Sequence, residues 1–185
     1  MAPKTEHPHT PAFTKRDVDG DSSQRSVCDT CGFIDYQNPK VIVGSVVRHK
    51  NKVLMCKRAI EPRIGYWTLP AGFLELHETA EDGARREAME EACAEIKIDR
   101  LLAVYSVTHI SQIQLMYKAQ LVRPDIAPGP ESQEVALYDW DEIPWDNLAF
   151  PSVLWTLKYA KEVWDMDDFS PFGNPPKGKF PFDFR

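Results

Sequence analysis

The chain has 185 residues, 43% of them hydrophobic and 27% charged, the proportions of an ordinary globular domain, which exclude wholesale disorder, a collagen repeat and a disulfide scaffold. Its 22 basic and 28 acidic residues leave a net charge of −6. Bulk electrostatics therefore gives no reason to expect nucleic acid as a partner, and an anionic small molecule would need local arginines or bound cations. No apolar run approaches the roughly 20 residues of a membrane-spanning helix, and no secretory apolar region or acid-poor transit peptide opens the sequence. Four cysteines, Cys28, Cys31, Cys56 and Cys93, are too sparse for a disulfide framework. Together these features point to a cytoplasmic protein with no membrane association.

Residues 1–27 offer only Met1, Ala2, Ala12, Phe13, Val18 and Val27 for burial, too little to offset the entropy of ordering them, and read as a flexible arm. Cys28-Asp-Thr-Cys31-Gly follows; its spacing is half of a zinc knuckle, so residues 28–38 read as a degenerate zinc-ribbon-like turn. A structural zinc takes four ligands, and only His7 and His9 stand nearby. Zinc on Cys28 and Cys31, completed by those histidines or by a second copy of the chain, is therefore the weaker cofactor reading.

From Val41 the texture is β-branched. Val41–Val47 and Val53–Cys56 flank His49-Lys-Asn-Lys52 and predict a hairpin. A strand over Tyr66–Leu69 is expected to end in a tight loop at Pro70-Ala71-Gly72. Thr79, with Asp82 three residues on, predicts the start of a helix running to Ala92. Strands are expected over 101–110, 112–122 and 134–140, with a rigid loop at Pro124, Pro128, Gly129 and Pro130 before the last. Asp146 is expected to cap a second helix carrying Val153, Leu157, Ala160 and Val163 on one face. The segment 166–185 interleaves Phe169, Phe172, Phe180, Phe182 and Phe184 with prolines; it reads as an extended arm lying on its own domain or on a partner subunit. The main domain is thus expected to span 39–165. A mixed sheet with one mid-chain and one late helix predicts an α/β class, either α+β or an α/β/α sandwich.

The predicted first helix and the loop before it are unusually acidic. At ~100° per residue, Glu87, Glu90 and Glu91 share a sector of about 100° with Ala80, Gly83 and Ala84. Side chains at i, i+3 and i+4 lie ~5–6 Å apart, so three carboxylates there repel unless cations sit between them. Hard oxygen ligands select Mg2+ or Mn2+, which also bind phosphates jointly with carboxylates. The bland alternative is a solvated surface in which Arg85, Arg86 and Lys97 pair with these acids, and spacing by itself does not decide between the two.

Gly72, five residues, Glu78, seven residues, and then Arg86-Glu87-Ala-Met-Glu90-Glu91-Ala-Cys93 resembles the Nudix box, with one departure: a cysteine at position 93 where the family has glycine. Tyr36–Lys40, Arg58–Pro62 and Gly65–Phe73 are similar to a zinc-ribbon-associated subgroup of Nudix hydrolases linked to ADP-ribose or FAD pyrophosphatase activity. The resemblance implies an α/β/α sandwich, often a homodimer, that hydrolyses a nucleoside diphosphate linked to a second moiety and gives two monophosphates. It further implies Glu87, Glu90, Glu91 and the Gly72 carbonyl as ligands of Mg2+ or Mn2+, with Arg86 orienting Glu87. Glu78 would support the loop. The general base is drawn from the box helix or a later loop, where Glu134 and Glu131 are the candidates, Glu134 for catalysis and Glu131 for substrate. Arg58 and Arg63 are candidate phosphate contacts, since a guanidinium fork suits phosphate oxygens.

Two alternatives stay open. NADH or NAD pyrophosphatases join a zinc ribbon to the same box, but their Ser-Gln-Pro-Trp-Pro-Phe-Pro signature is missing, and Ser111-Gln112 leads into Ile113 instead. A catalytically silent Nudix module, sensing a ligand or binding a protein, would be expected to have lost the box glutamates, and all are present.

Overall fold

The computed structural model describes residues 12–181, which divide into two units at Asn38/Pro39. In the first unit β1 (Phe13–Arg16), β2 (Arg25–Cys28) and β3 (Ile34–Asp35) form a small antiparallel sheet in that order. This corrects the reading of residues 1–27 as an arm for the part that is described. Few side chains are buried there, but the ladder satisfies its backbone, and ion pairs of Asp29 with Arg16 and Asp21 with Arg25 tie strand to turn. The Cys28–Cys31 turn closes by Gly32 N–H donating to Cys28 O (3.0 Å) and Cys28 N–H to Phe33 O (2.8 Å).

The second unit is built on β4 (Lys40–His49). Val43, Val46 and Val47 of this strand are fully buried, as a strand covered on both faces requires. Its hairpin partner is β5 (Lys52–Arg58), which is followed by two short strands, β6 (Trp67–Thr68) and β7 (Ala71–Phe73). The predicted loop at residues 70–72 is thus partly a strand: Ala71–Phe73 pairs antiparallel with Ile42–Gly44, so Pro70 ends β6 without ending the sheet. Next come α1 (Ala80–Ala92), β8 (Ile96–Val107), β9 (Gln112–Leu121), β10 (Ser132–Asp139) and α2 (Pro151–Glu162). The main sheet runs β10-β5-β4-β9-β8, with β6 on β5 and β7 on β4. The β4–β9 pair is parallel and the others antiparallel, which makes the sheet mixed.

Strand alternation sorts the core into two layers. Val47, Leu54 and Cys56 pack with Ala88 and Ala92 of α1, while Val46, Val53 and Met55 pack with Val153, Leu157 and Ala160 of α2. The result is an α/β/α sandwich. Asp146 does not cap α2, because it lies in a short 3-10 turn, Trp145–Asn147. The helix starts with Pro151 at its first position, where a missing N–H and a fixed φ are tolerated. Its C-terminal end is held by Lys118, whose buried ammonium donates to the carbonyls of Val163 (3.0 Å), Trp164 (2.9 Å) and Met166 (2.8 Å).

The segment after α2 lies on its own unit. Phe172 N–H donates to Leu102 O and Val104 N–H to Phe172 O, both at 2.9 Å. The Asn174 side chain continues the pattern by accepting from Ser106 N–H (2.8 Å) and donating to Ser106 O (3.1 Å). This segment covers the β8 edge, which would otherwise present unpaired backbone. Phe172 stacks on Tyr159 with centroids 4.1 Å apart, and Phe180 meets Tyr159 edge-on at 5.2 Å. Phe182, Phe184, His7 and His9 lie outside the described residues.

Helix α1 begins as predicted, with Asp82 N–H donating to Thr79 Oγ1 at 3.1 Å. It ends at Cys93, which takes the left-handed turn of a glycine (φ 49°) and donates to Met89 O, while Ala94 N–H reaches Ala88 O. The turn is kept, with a side chain in a conformation that favours glycine. Cys93 is exposed, so Cys93→Gly loses no burial. We expect it to stabilise the fold by about 1 kcal/mol and to raise Tm by about 3 °C in thermal unfolding.

Candidate active site

The site is assembled where α1 faces β7. Glu87 and Glu91, one helical turn apart, are 8% and 6% exposed, whereas Glu90 between them faces solvent. Glu91 accepts a hydrogen bond from Ala71 N–H (3.1 Å). A β-carbon on Gly72 would fall 2.5 Å from Glu87 Cδ, so the glycine is what lets the loop backbone approach that carboxylate.

Arg86 organises these groups. Its Nε donates to Glu78 Oε2 (3.1 Å), Nη2 to Glu78 Oε1 (2.8 Å) and Phe73 O (2.9 Å), and Nη1 to Glu87 Oε1 (2.7 Å) and Glu90 Oε2 (2.8 Å). All five N–H donors of the guanidinium are used. Glu78 also accepts from Glu75 N–H (2.7 Å); it therefore ties the β7–α1 loop to Arg86. The Arg86 hydrogen bond holds Glu78 below the ordinary carboxylate value.

Both buried acids are shifted upward. Burial raises the Glu87 carboxyl, Arg86 opposes this, and the charges of Glu90 and Glu131 add to the rise. Burial also pushes Glu91 from 4.5 to about 8; the Ala71 N–H and Arg58 oppose, and Glu87 and Glu131 add. Buried, mutually repelling carboxylates beside a backbone cradle are the donor set of a hard divalent cation. In the described residues no three His, Cys, Asp or Glu side chains already converge on one point, because Arg86 Nη1 lies between Glu87 and Glu90. The oxygens left for Mg2+ or Mn2+ are Glu87 Oε2, Glu90 Oε1 and Glu91 Oε1, and the residues present fit such an ion. At the other cysteine pair, Cys28 is buried and Cys31 exposed, and His7 and His9, which would complete a zinc site there, lie outside the described residues.

The loop before β10 docks onto the end of α1. Ala127 N–H donates to Ala92 O and Gly129 N–H to Glu91 O, each at 3.0 Å. A β-carbon on Gly129 would overlap the Glu90 carbonyl. This docking brings the charge of Glu131 to bear on both Glu87 and Glu91. Glu134 does not join them; it stands opposite Lys57 on β5 and pairs with its ammonium at 3.5 Å. Arg58 is a strand neighbour of this loop, opposite Ser132 and followed by Ala59, whose N–H donates to Glu131 O (2.8 Å), and its charge is felt at Glu91. Arg63 is in the adjoining loop, stacked over Tyr66 at 4.7 Å. Among aromatic residues, Trp67 and Tyr117 are buried in the core. Sequence reasoning missed Phe150 beneath Arg58 and the role of Gly129; the Pro-Gly-Pro run marked that loop as rigid without showing what it docks on.

A NUDIX domain family model matches residues 38–156. A crystal structure of a NUDIX hydrolase from Nitrosomonas europaea is 46% identical, with a TM-score of 0.82 over 87% of this chain and 93% of that one. Among curated proteins, an ADP-ribose pyrophosphatase of Methanocaldococcus jannaschii is 31% identical over 62% of this chain and 69% of its own length. The NAD-capped RNA hydrolase NudC of Salmonella paratyphi C is 29% identical, and there the chain spans 46% of the relative's length. The chain belongs to the NUDIX family and is a Nudix pyrophosphohydrolase. No helix among the described residues is long and apolar enough to cross a membrane.

Two measurements check the electrostatics. Between pH about 4.5 and 8 the folded Glu91 keeps a proton that the unfolded chain has lost, so stability of the metal-free protein falls as pH rises through that window. Thermal unfolding in a chelator should show this fall, and Glu91→Gln should flatten it. Arg86→Lys cannot reach five acceptors; we expect the Mg2+ concentration for half-maximal activity to rise about 10–100-fold, read from a metal titration of the reaction rate.

Proposed function

We propose that the chain hydrolyses the diphosphate bridge of a nucleoside diphosphate linked to a second moiety, ADP-ribose or FAD being the leading substrates, and releases two monophosphates. The observation that carries this reading is a pair of buried carboxyl groups without enough compensating positive charge: Glu87 and Glu91 are both raised by burial beside the Gly72 backbone. Such a site is suited to divalent cations and, through them, to a substrate that is itself a bridged anion. The name of the archaeal relative supports ADP-ribose.

Glu87, Glu90, Glu91 and the Gly72 carbonyl hold Mg2+ or Mn2+ in this reading, and Arg86 keeps Glu87 and Glu90 aligned. Bound there, such ions would supply positive charge to the diphosphate oxygens and lower the pKa of the attacking water. Arg58 and Arg63 hold phosphate oxygens. Glu131, rather than Glu134, takes the proton of the attacking water: its charge is felt at both helix carboxylates, whereas Glu134 is engaged with Lys57. A cytoplasmic homodimer completes the reading.

NADH or NAD is the second substrate reading, favoured by the similarity to NudC. A silent sensing module is the third, and the intact set Glu87, Glu90 and Glu91 argues against it. Monophosphate release from ADP-ribose, FAD, NADH and nucleoside triphosphates with Mg2+ or Mn2+ separates them. We expect turnover of ADP-ribose or FAD, reduced about 100-fold or more by Glu131→Gln and left within about 3-fold of wild type by Glu134→Gln. Preferred turnover of NADH selects the second reading, and a folded protein inert on every compound selects the third.

A further inference from the structure

Arg58 ends β5 beside the carboxylate site, and how its guanidinium is held is specific. Nε donates to Pro62 O at 2.8 Å and Nη2 to Glu61 O at 3.4 Å, so the loop after the strand grips one edge of the group. Its carbon lies 5.2 Å from the centre of the Phe150 ring. The two N–H groups of Nη1 make no hydrogen bond among the described residues. An arginine with one edge bonded, one face on an aromatic ring and one nitrogen uncommitted is oriented for an anion. Side-chain entropy that a free arginine would lose on binding has already been lost on folding.

Phe150 is itself fixed. It is the residue before Pro151 at the start of α2, in extended conformation, with its carbonyl accepting from Val153 N–H at 3.1 Å, and its side chain is packed partly into the α2-side core. A ring anchored this way cannot follow a wandering guanidinium; it sets where the guanidinium rests. The backbone just after Arg58 is fixed as well, Ala59 N–H donating to the Glu131 carbonyl. Arg58 is therefore held both by the start of α2 and, through its neighbour Ala59, by the loop that carries Glu131.

We propose that Phe150 is a positioning residue for substrate: its ring face seats Arg58 so that Nη1 is presented to the diphosphate bound beside Glu91. This rests on the reading that a diphosphate binds there. Phe150 touches no reacting atom and acts only through Arg58, which makes the inference separable from a simple packing role.

The test is a double-mutant cycle of Phe150→Leu and Arg58→Gln, with Phe150→Tyr as the variant that keeps a ring. Two readouts are taken: kcat and KM on the preferred substrate, and binding of inorganic pyrophosphate with excess Mg2+ by calorimetry. Leucine keeps the apolar bulk, so Tm should stay close to wild type. We expect Phe150→Leu to lower kcat/KM and pyrophosphate affinity about 10-fold, Phe150→Tyr to stay near wild type, and Phe150→Leu to add nothing in the Arg58→Gln background. Equal losses from Phe150→Leu with and without Arg58, an equal loss in Phe150→Tyr, or no loss at all in Phe150→Leu would overturn the inference while leaving the hydrolase reading intact. Coupled effects on pyrophosphate binding in a protein that turns over no substrate would sustain the inference and sink the hydrolase reading. A wild-type protein that neither binds pyrophosphate nor turns over substrate overturns both.

Discussion

Two carboxylates buried one turn apart on a helix oppose folding, and the rest of this site depends on how that opposition is met. Arg86 meets part of it with a guanidinium whose five donors are divided among Glu78, Glu87, Glu90 and the Phe73 carbonyl. Because every donor is used, the loop, the helix and the strand β7 are fixed relative to one another by one planar group. The part left unmet is the raised Glu91, reached by a single backbone N–H from Ala71. Residual destabilisation of this kind is what a bound cation relieves, so ion binding and local stability are linked at the same residue.

The surroundings of these acids come from three separate stretches of chain. The glycine at 72 admits the β7 backbone to the Glu87 carboxylate, and the glycine at 129 admits the later loop to the end of α1. The end of β5 supplies Arg58, gripped by its own loop on one side and by Phe150 on another. Close backbone approach is the shared physical requirement. A side chain at either glycine would push a loop off the helix and separate charges that now act on one another across the site.

Away from the site, the sheet solves an edge problem. β8 lies at the end of the strand order, and the segment around Phe172 and Asn174 pairs with it by backbone at one position and by a side-chain amide at the next. The aromatic residues that looked too numerous for a free tail are accounted for in part by Tyr159, against which Phe172 and Phe180 pack. Lys118 and Arg48 hold the carbonyls at the end of α2, including Trp164 O, and so direct the chain toward that edge.

The sequence by itself determined the local and periodic features. The Thr79 cap, the extent of α1, the central hairpin, and the presence of Glu87, Glu90, Glu91, Arg86 and Gly72 at the spacing of the Nudix box are properties of neighbouring residues, which set helix phase and turn chemistry directly. Cys93 shows the limit of pattern: glycine suits a left-handed turn best, but the Schellman hydrogen bonds and helix packing hold a cysteine in it. Pairing across the chain was not legible. That Ala71–Phe73 is a strand on β4, that Phe13–Arg16 and Arg25–Cys28 form a sheet, and that Asp146 sits in a turn before a proline-led helix all depend on partners distant in sequence. The same holds for the surroundings of Glu131 and Glu134. They stand three positions apart, and local sequence treats them alike, but docking of Gly129 on α1 brings the charge of one to the buried acids while strand register hands the other to Lys57. Tertiary structure decided these points because burial and charge proximity are set by which surfaces meet, and no periodicity along the chain encodes that meeting.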